Sequence, residues 1–184
     1  KVKLGAAWRV AMPGVLAAAA AHPHARWRFD FNASIDANEA LAWMRSLPDA
    51  LRAATDFVED PCPFSPCDWA ELEEAGGLRL AADAWCTDPA AAGFLGICKP
   101  ARDDARMVLE TAVAGKRPMV VTSNMDHPLG VVWAALWAAR FAAAGVHHGP
   151  AGLCTHLLFA PDAFSERLGP EGNRLRAPGG TGLG

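Results

Sequence analysis

No basic stripe runs through this chain. Its 17 lysines and arginines are outnumbered by 20 aspartates and glutamates, for a formal net charge of −3. That balance argues against a nucleic-acid partner, which calls for clustered cations along one face. No apolar run reaches the roughly 20 residues of a membrane span. The alanine-rich stretch 15–21 is short and runs into His22-Pro23-His24. Cysteines are few and odd in number: Cys62, Cys67, Cys86, Cys98 and Cys154. A disulfide framework is therefore not expected, and a reduced, cytoplasmic setting is. Cys62 and Cys67 have no second cysteine pair to complete a zinc site. No repeat of solenoid period is present, nor any biased tract beyond the alanines.

What the chain does have is apolar material in alternating segments. Hydrophobic residues make up 52% and charged residues 20% of 184 positions. That is enough for a large core, and one compositional texture argues for a single domain over residues 1–184. Strand-like runs fall at 1–4, 26–31, 56–58, 78–82, 94–99, 119–122 and, more weakly, 152–159. Helix-like runs fall at 8–21, 36–46, 67–75, 102–114 and 128–144. Asp36 with Glu39 reads as a capping box, Pro48 as a stop, and Gly115 and Gly145 as helix C-caps. Repeated β–α units imply parallel strands joined by right-handed crossovers. An open doubly wound sheet and a (β/α) barrel both fit. Seven strands in regular order favour an α/β fold of the TIM-type barrel class. A whole barrel takes about 250 residues, so an incomplete barrel is expected. The chain opens inside a strand and stops on a glycine-rich loop, as a fragment of a longer protein would. The interval from Asp83 to Lys99 is too short for a full crossover helix, so a single turn or irregular link is expected there.

The strand ends carry the chemistry. Trp27-Arg28-Phe29-Asp30, the run closing on Glu59 and the run closing on Asp83 each deliver a carboxylate at a C-terminal end. Lys1-Val2-Lys3 and Leu95-Gly96-Ile97-Cys98-Lys99 deliver lysines the same way. In parallel α/β folds that end faces the site of reaction. Three carboxylates in a ring suit a hard divalent cation such as Mg²⁺, with water and substrate completing the shell. Lysines beside such a site are candidates for proton transfer. Asn32 is expected next to the metal ligands. Ser123 and Asn124 lie at the mouth end of the 119–122 strand, where substrate contact and helix capping are equally compatible with the residues.

This constellation resembles the enolase superfamily, in its muconate-lactonizing subgroup. The carriers are Lys1-x-Lys3, Asp30-x-Asn32, Glu59-Asp60-Pro61, Asp83 and Lys99-Pro100, followed by the segment from Val121 through Ser123, Asn124 and His127 to Gly130. The region from Gly152 to Phe159, Phe164-Ser165-Glu166 and Gly180-Thr181-Gly182-Leu183-Gly184 are most like the o-succinylbenzoate synthases. The resemblance implies a modified (β/α)7β barrel that in the family carries an N-terminal capping domain, absent from this sequence. It implies a lyase that dehydrates 2-succinyl-6-hydroxy-2,4-cyclohexadiene-1-carboxylate in menaquinone synthesis. It further implies Mg²⁺ on Asp30, Glu59 and Asp83, Lys3 as base, Lys99 as its partner across the substrate, and Lys1, Asn32, Ser123 and Asn124 around a small carboxylate substrate. No organic cofactor is implied, and a homo-oligomer is compatible. Two features depart from the family pattern: Ala84 stands after Asp83 where Glu is frequent, and the link to Lys99 is short. An N-acylamino acid racemase or dipeptide epimerase of the same superfamily shares the catalytic set. A non-catalytic, receiver-like Mg²⁺-binding α/β domain is the remaining alternative.

Overall fold

A computed structural model describes residues 1–171 and 174–176. The segment Gly180–Gly184 lies outside the described residues. The chain divides into two compact units between Leu95 and Gly96, and each is built from β–α units.

The first unit holds β1 (Val2–Lys3), α1 (Trp8–Ala21), β2 (Trp27–Asp30), α2 (Ala37–Ser46), α3 (Asp49–Ala54), β3 (Thr55–Glu59), α4 (Pro66–Gly76) and β4 (Leu80–Ala82). Its strands pair in parallel and in chain order, β1 to β2 to β3 to β4. A doubly wound sheet reverses its strand order at a switch point. This run has no reversal and matches the wall of a barrel.

Register separates two faces. Phe29, Val58 and Leu80 form one row; Lys3, Asp30, Glu59 and Ala81 form the next. Successive side chains on a strand point to opposite sides. The Phe29 row is fully buried and belongs to the helical layer. There Trp43 of α2 meets Phe29 and Phe31 edge-on, with centroids 5.1 and 4.9 Å away. A second aromatic group, Phe64, Trp69, Trp85 and Phe94, packs where α4 lies against the strands. Gly76 allows α4 to approach α2 closely, since a Cβ there would collide with the Met44 sulfur.

The helix starts follow local chemistry. Asp36 accepts from the Glu39 N–H at 2.8 Å, as its N-cap position predicts. The Glu39 carboxylate turns instead to Arg9 and Trp8, so only half of the capping box forms. Pro48 ends α2 and at once begins α3, a short helix the sequence pattern does not announce. Arg52 of α3 donates to the carbonyls of Met44 and Gly76. It thereby satisfies the open C-terminal ends of two neighbouring helices. The short link after Asp83 contains a single 3-10 turn, Pro89–Ala91, capped by Asp88, as its length requires.

The second unit holds β5 (Leu95–Cys98, which begins at the junction), α5 (Ala105–Gly115), β6 (Met119–Val121), α6 (Pro128–Ala143) and the small hairpin β7 (Pro170–Glu171) and β8 (Arg174–Leu175). β5 and β6 pair in parallel. Two expectations are corrected here. Helix α5 ends on Gly115, but the left-handed C-cap is Lys116, with φ 51°. The expected strand over 152–159 is instead one isolated bridge, at Gly152, followed by a 3-10 turn, Thr155–Leu158. His147 pairs with Met119 and Gly152 with Thr122. Between them Gly149 takes φ 63° and Pro150 has no N–H to donate. A regular ladder cannot run through that pair.

Trp43 is fully buried between two phenylalanines. Trp43→Ala is expected to cost about 3–5 kcal/mol, read from urea unfolding. Val10→Ala, at an exposed site, should change stability by less than about 0.5 kcal/mol.

Candidate metal and acid–base site

The Lys3, Asp30 and Glu59 row sits at the C-terminal ends of β1, β2 and β3. Asp83 stands just past the end of β4, near enough for its charge to act on Glu59. The acids are removed from water: Asp30 is 1% exposed, Glu59 2% and Asp83 8%. Ionised carboxylates at such depth need a cation or strong hydrogen bonds.

Lys1 supplies a cation. Its Nζ lies 2.9 Å from Asp30 Oδ2 and 2.5 Å from Glu59 Oε1. Lys3 Nζ stands farther off, 3.8 Å from Asp30 Oδ2, with most of its side chain in solvent. Burial pushes Glu59 up to about 7, and the charges of Asp30 and Asp83 add to the rise while Lys1 opposes it. Burial works against the Lys1 ammonium, but Glu59 and Asp30 outweigh it and hold its pKa above the usual lysine value. In this coupled pair Lys1 keeps its proton and Glu59 is the group nearest to titrating.

Loop geometry fixes the acids. The Asn32 N–H donates to Asp30 Oδ1 at 2.9 Å, from a left-handed backbone with φ 48° that asparagine tolerates. The contact of Asn32 with Asp30 is thus made by its backbone. Asp60 is a participant the residue pattern did not single out. It is 3% exposed and its carboxylate accepts from the N–H groups of Asp83 and Ala84, each at 3.0 Å. The signal was present in Glu59-Asp60-Pro61: two adjacent acids at a strand end cannot both point the same way, so the second must serve another task.

The residues of the second unit have their own geometry. Lys99 follows β5; its N–H donates to Asp103 Oδ2 and its carbonyl accepts from Arg102 and Asp103, all at 2.8 Å. Ser123 Oγ lies 2.7 Å from Thr155 Oγ1 and 3.1 Å from the Gly152 carbonyl. The Asn124 N–H donates to Asp126 Oδ2 at 2.8 Å. His127 caps α6 and lies 3.2 Å from Asp162. All five cysteines are free thiols.

The donor set suits a hard divalent cation in kind and in charge: carboxylate oxygens, no sulfur, and two acids that already share one positive group. Among the described residues no trio of Asp, Glu, His or Cys is drawn tightly enough to close around an ion as it stands. The fit is one of chemistry rather than of a finished coordination shell.

Removing the Lys1 ammonium would leave Asp30 and Glu59 buried and uncompensated. Lys1→Met is expected to cost about 2 kcal/mol in urea unfolding, less than the ~3–5 of a fully buried pair because Lys1 is partly open. Lys3→Met, at a longer and wetter contact, should cost less than about 1 kcal/mol. Equal losses would refute this division of labour.

No protein-family model matches the chain. Among curated proteins, the o-succinylbenzoate synthase of Bdellovibrio bacteriovorus is 31% identical over 164 residues, covering 86% of this chain and 50% of that protein. The chain thus spans about half the length of the curated relative it matches. Among solved structures, muconate cycloisomerase from Pseudomonas fluorescens superposes with a TM-score of 0.70 at 20% identity, over 99% of this chain and 53% of its own. A mandelate racemase/muconate lactonizing protein from Herpetosiphon aurantiacus gives 0.68 at 22%, over 88% and 48%. The o-succinylbenzoate synthase of Thermosynechococcus elongatus, with magnesium in its active site, gives 0.57 at 21%, over 85% and 55%. In sequence and in fold, this chain is similar to proteins of the enolase superfamily and carries part of their barrel.

Proposed function

We propose that residues 1–184 are one catalytic barrel domain of an enolase-superfamily lyase, an o-succinylbenzoate synthase acting in the cytoplasm in menaquinone synthesis. The observation that carries this reading is the row of buried carboxylates beside two lysines at parallel strand ends. The likeness to the Bdellovibrio bacteriovorus enzyme supports the choice of reaction.

In this reading Asp30, Glu59 and Asp83 hold Mg²⁺. When bound, the ion supplies the positive charge that makes the proton alpha to the substrate carboxylate acidic enough to remove. Lys3 takes that proton on Nζ. Its reach and its loose tie to Asp30 leave the amine free to approach a substrate carbon. Lys99 supplies an ammonium that steadies the charge developing on the substrate carboxylate. Lys3 then returns its proton to the departing hydroxyl. One carbon–hydrogen and one carbon–oxygen bond break, one ring double bond forms, and water leaves. Lys1 balances Asp30 and Glu59, while Asn32, Ser123 and Asn124 shape the surroundings of the substrate.

An ultraviolet assay of o-succinylbenzoate formation on the full-length protein with Mg²⁺ tests this. Turnover is expected, with loss on adding EDTA, and Lys3→Ala should lower it at least about 10³-fold without unfolding the protein. Full activity in Lys3→Ala would sink the mechanism. No dehydration, together with deuterium exchange at the alpha carbon of N-acylamino acids, would shift the assignment to racemase or epimerase. There Lys3 and Lys99 would act as two bases.

A further inference from the structure

We infer that Asp60 is a positioning residue for the proposed metal centre, holding Asp83 in place through its backbone. The inference rests on the reading of Asp30, Glu59 and Asp83 as Mg²⁺ ligands.

Four hydrogen bonds converge on Asp60. Its two carboxylate oxygens accept separately from the Asp83 and Ala84 N–H groups, each at 3.0 Å. Its own N–H donates to the Ala81 carbonyl at 3.0 Å, and its carbonyl accepts from the Ala33 N–H at 2.7 Å. The residue therefore ties the exit of β3 to the exit of β4 and to the turn after β2. Each of those exits carries one of the three acids: Glu59 precedes Asp60, Asp83 receives its grip, and Ala33 lies three residues past Asp30. The backbone at Asp60 turns left-handed, with φ 41°. That turn sends its carboxylate across to β4 while Glu59 faces Lys1.

A structural staple alone would not call for a fourth carboxylate here. Burial opposes the ionisation of Asp60 first, and the charges of Asp83 and Asp30 add to it, against the two backbone N–H groups that favour it. A neutral side chain would avoid that repulsion. What the carboxylate provides is two acceptors in one plane, matched to two successive N–H groups. An amide offers one oxygen and puts an NH2 against the other N–H. The chain thus accepts like-charge crowding in return for a fixed Asp83. The same grip reaches Ala84, whose own side chain has no polar atom to offer, so the start of the link is held from Asp60.

Isothermal calorimetry of Mg²⁺ into the full-length protein and its Asp60→Asn variant tests this, alongside thermal melts without metal. The variant is expected to melt within a few degrees of the parent yet bind Mg²⁺ about 10–100-fold more weakly. Its turnover should recover toward the parent's at correspondingly higher Mg²⁺, since loss of positioning is offset by mass action. A folded Asp60→Asn protein with Mg²⁺ affinity within twofold of the parent overturns the inference. Should that variant not fold, Asp60→Glu keeps the charge and both oxygens but displaces them by one methylene. It is expected to weaken Mg²⁺ in the same direction, and unchanged affinity overturns the inference equally. A parent that takes up no Mg²⁺ removes the metal reading itself and this inference with it, an outcome distinct from parent and variant binding alike.

Discussion

The structure turns on keeping several carboxylates out of water at one end of a parallel sheet. Asp30, Glu59, Asp60 and Asp83 are all buried. Moving a carboxylate out of water costs several kcal/mol even after relaxation, so each needs a specific answer. Asp30 and Glu59 share the Lys1 ammonium. Asp30 also accepts the Asn32 N–H, and Asp60 takes two backbone N–H groups. The raised pKa of Glu59 marks where these answers fall short.

That arrangement depends on register. The acids share one face only because Lys3, Asp30 and Glu59 align across β1, β2 and β3. The opposite row, Phe29, Val58 and Leu80, is locked under the helices, with Trp43 wedged against Phe29. A slip of one residue would exchange the rows, placing carboxylates among aromatic rings and Phe29 at the mouth. The apolar packing behind the sheet is thus what aims the acids at its other side. The irregular pairing between Trp27 and Arg28 absorbs the mismatch between β2 and β3 before the acid row is reached.

Much of this was legible in the residues. Strand positions follow from apolar runs, and the acid at the end of each run locates the row. Asp36 and Pro48 mark the bounds of α2 because capping and proline sterics are local. Features set by tertiary contacts were not legible. Helix α3 forms because Arg52 finds carbonyls of two other helices, and six residues of sequence carry no trace of that. The run 152–159 is apolar enough for a strand, but its first residue, Gly152, already pairs with Thr122, one residue past the end of β6. Lys116 rather than Gly115 turns left-handed because helix α5 continues one residue further than composition suggests. Asp60 stands in the Glu59-Asp60-Pro61 run, but its partners were not legible for a related reason: they are backbone N–H groups, which every residue possesses.

The charge balance at the acid row also links folding to the proposed chemistry. Lys1 brings one positive charge to a group of carboxylates that exceeds it. The remainder is met partly by hydrogen bonds and partly by the reluctance of Glu59 to ionise. A divalent cation resolves the same excess more completely, because it interacts with several carboxylates at once and at shorter distance. In the proposed reading, stability and ion binding would therefore draw on one set of oxygens. A protein selected for stability alone could replace the whole ionic group by well-packed apolar side chains at little cost, whereas removing one acid singly would strand its partners. Retaining all of them, on three neighbouring strand ends with a lysine beside them, makes sense when the excess negative charge is the feature in use.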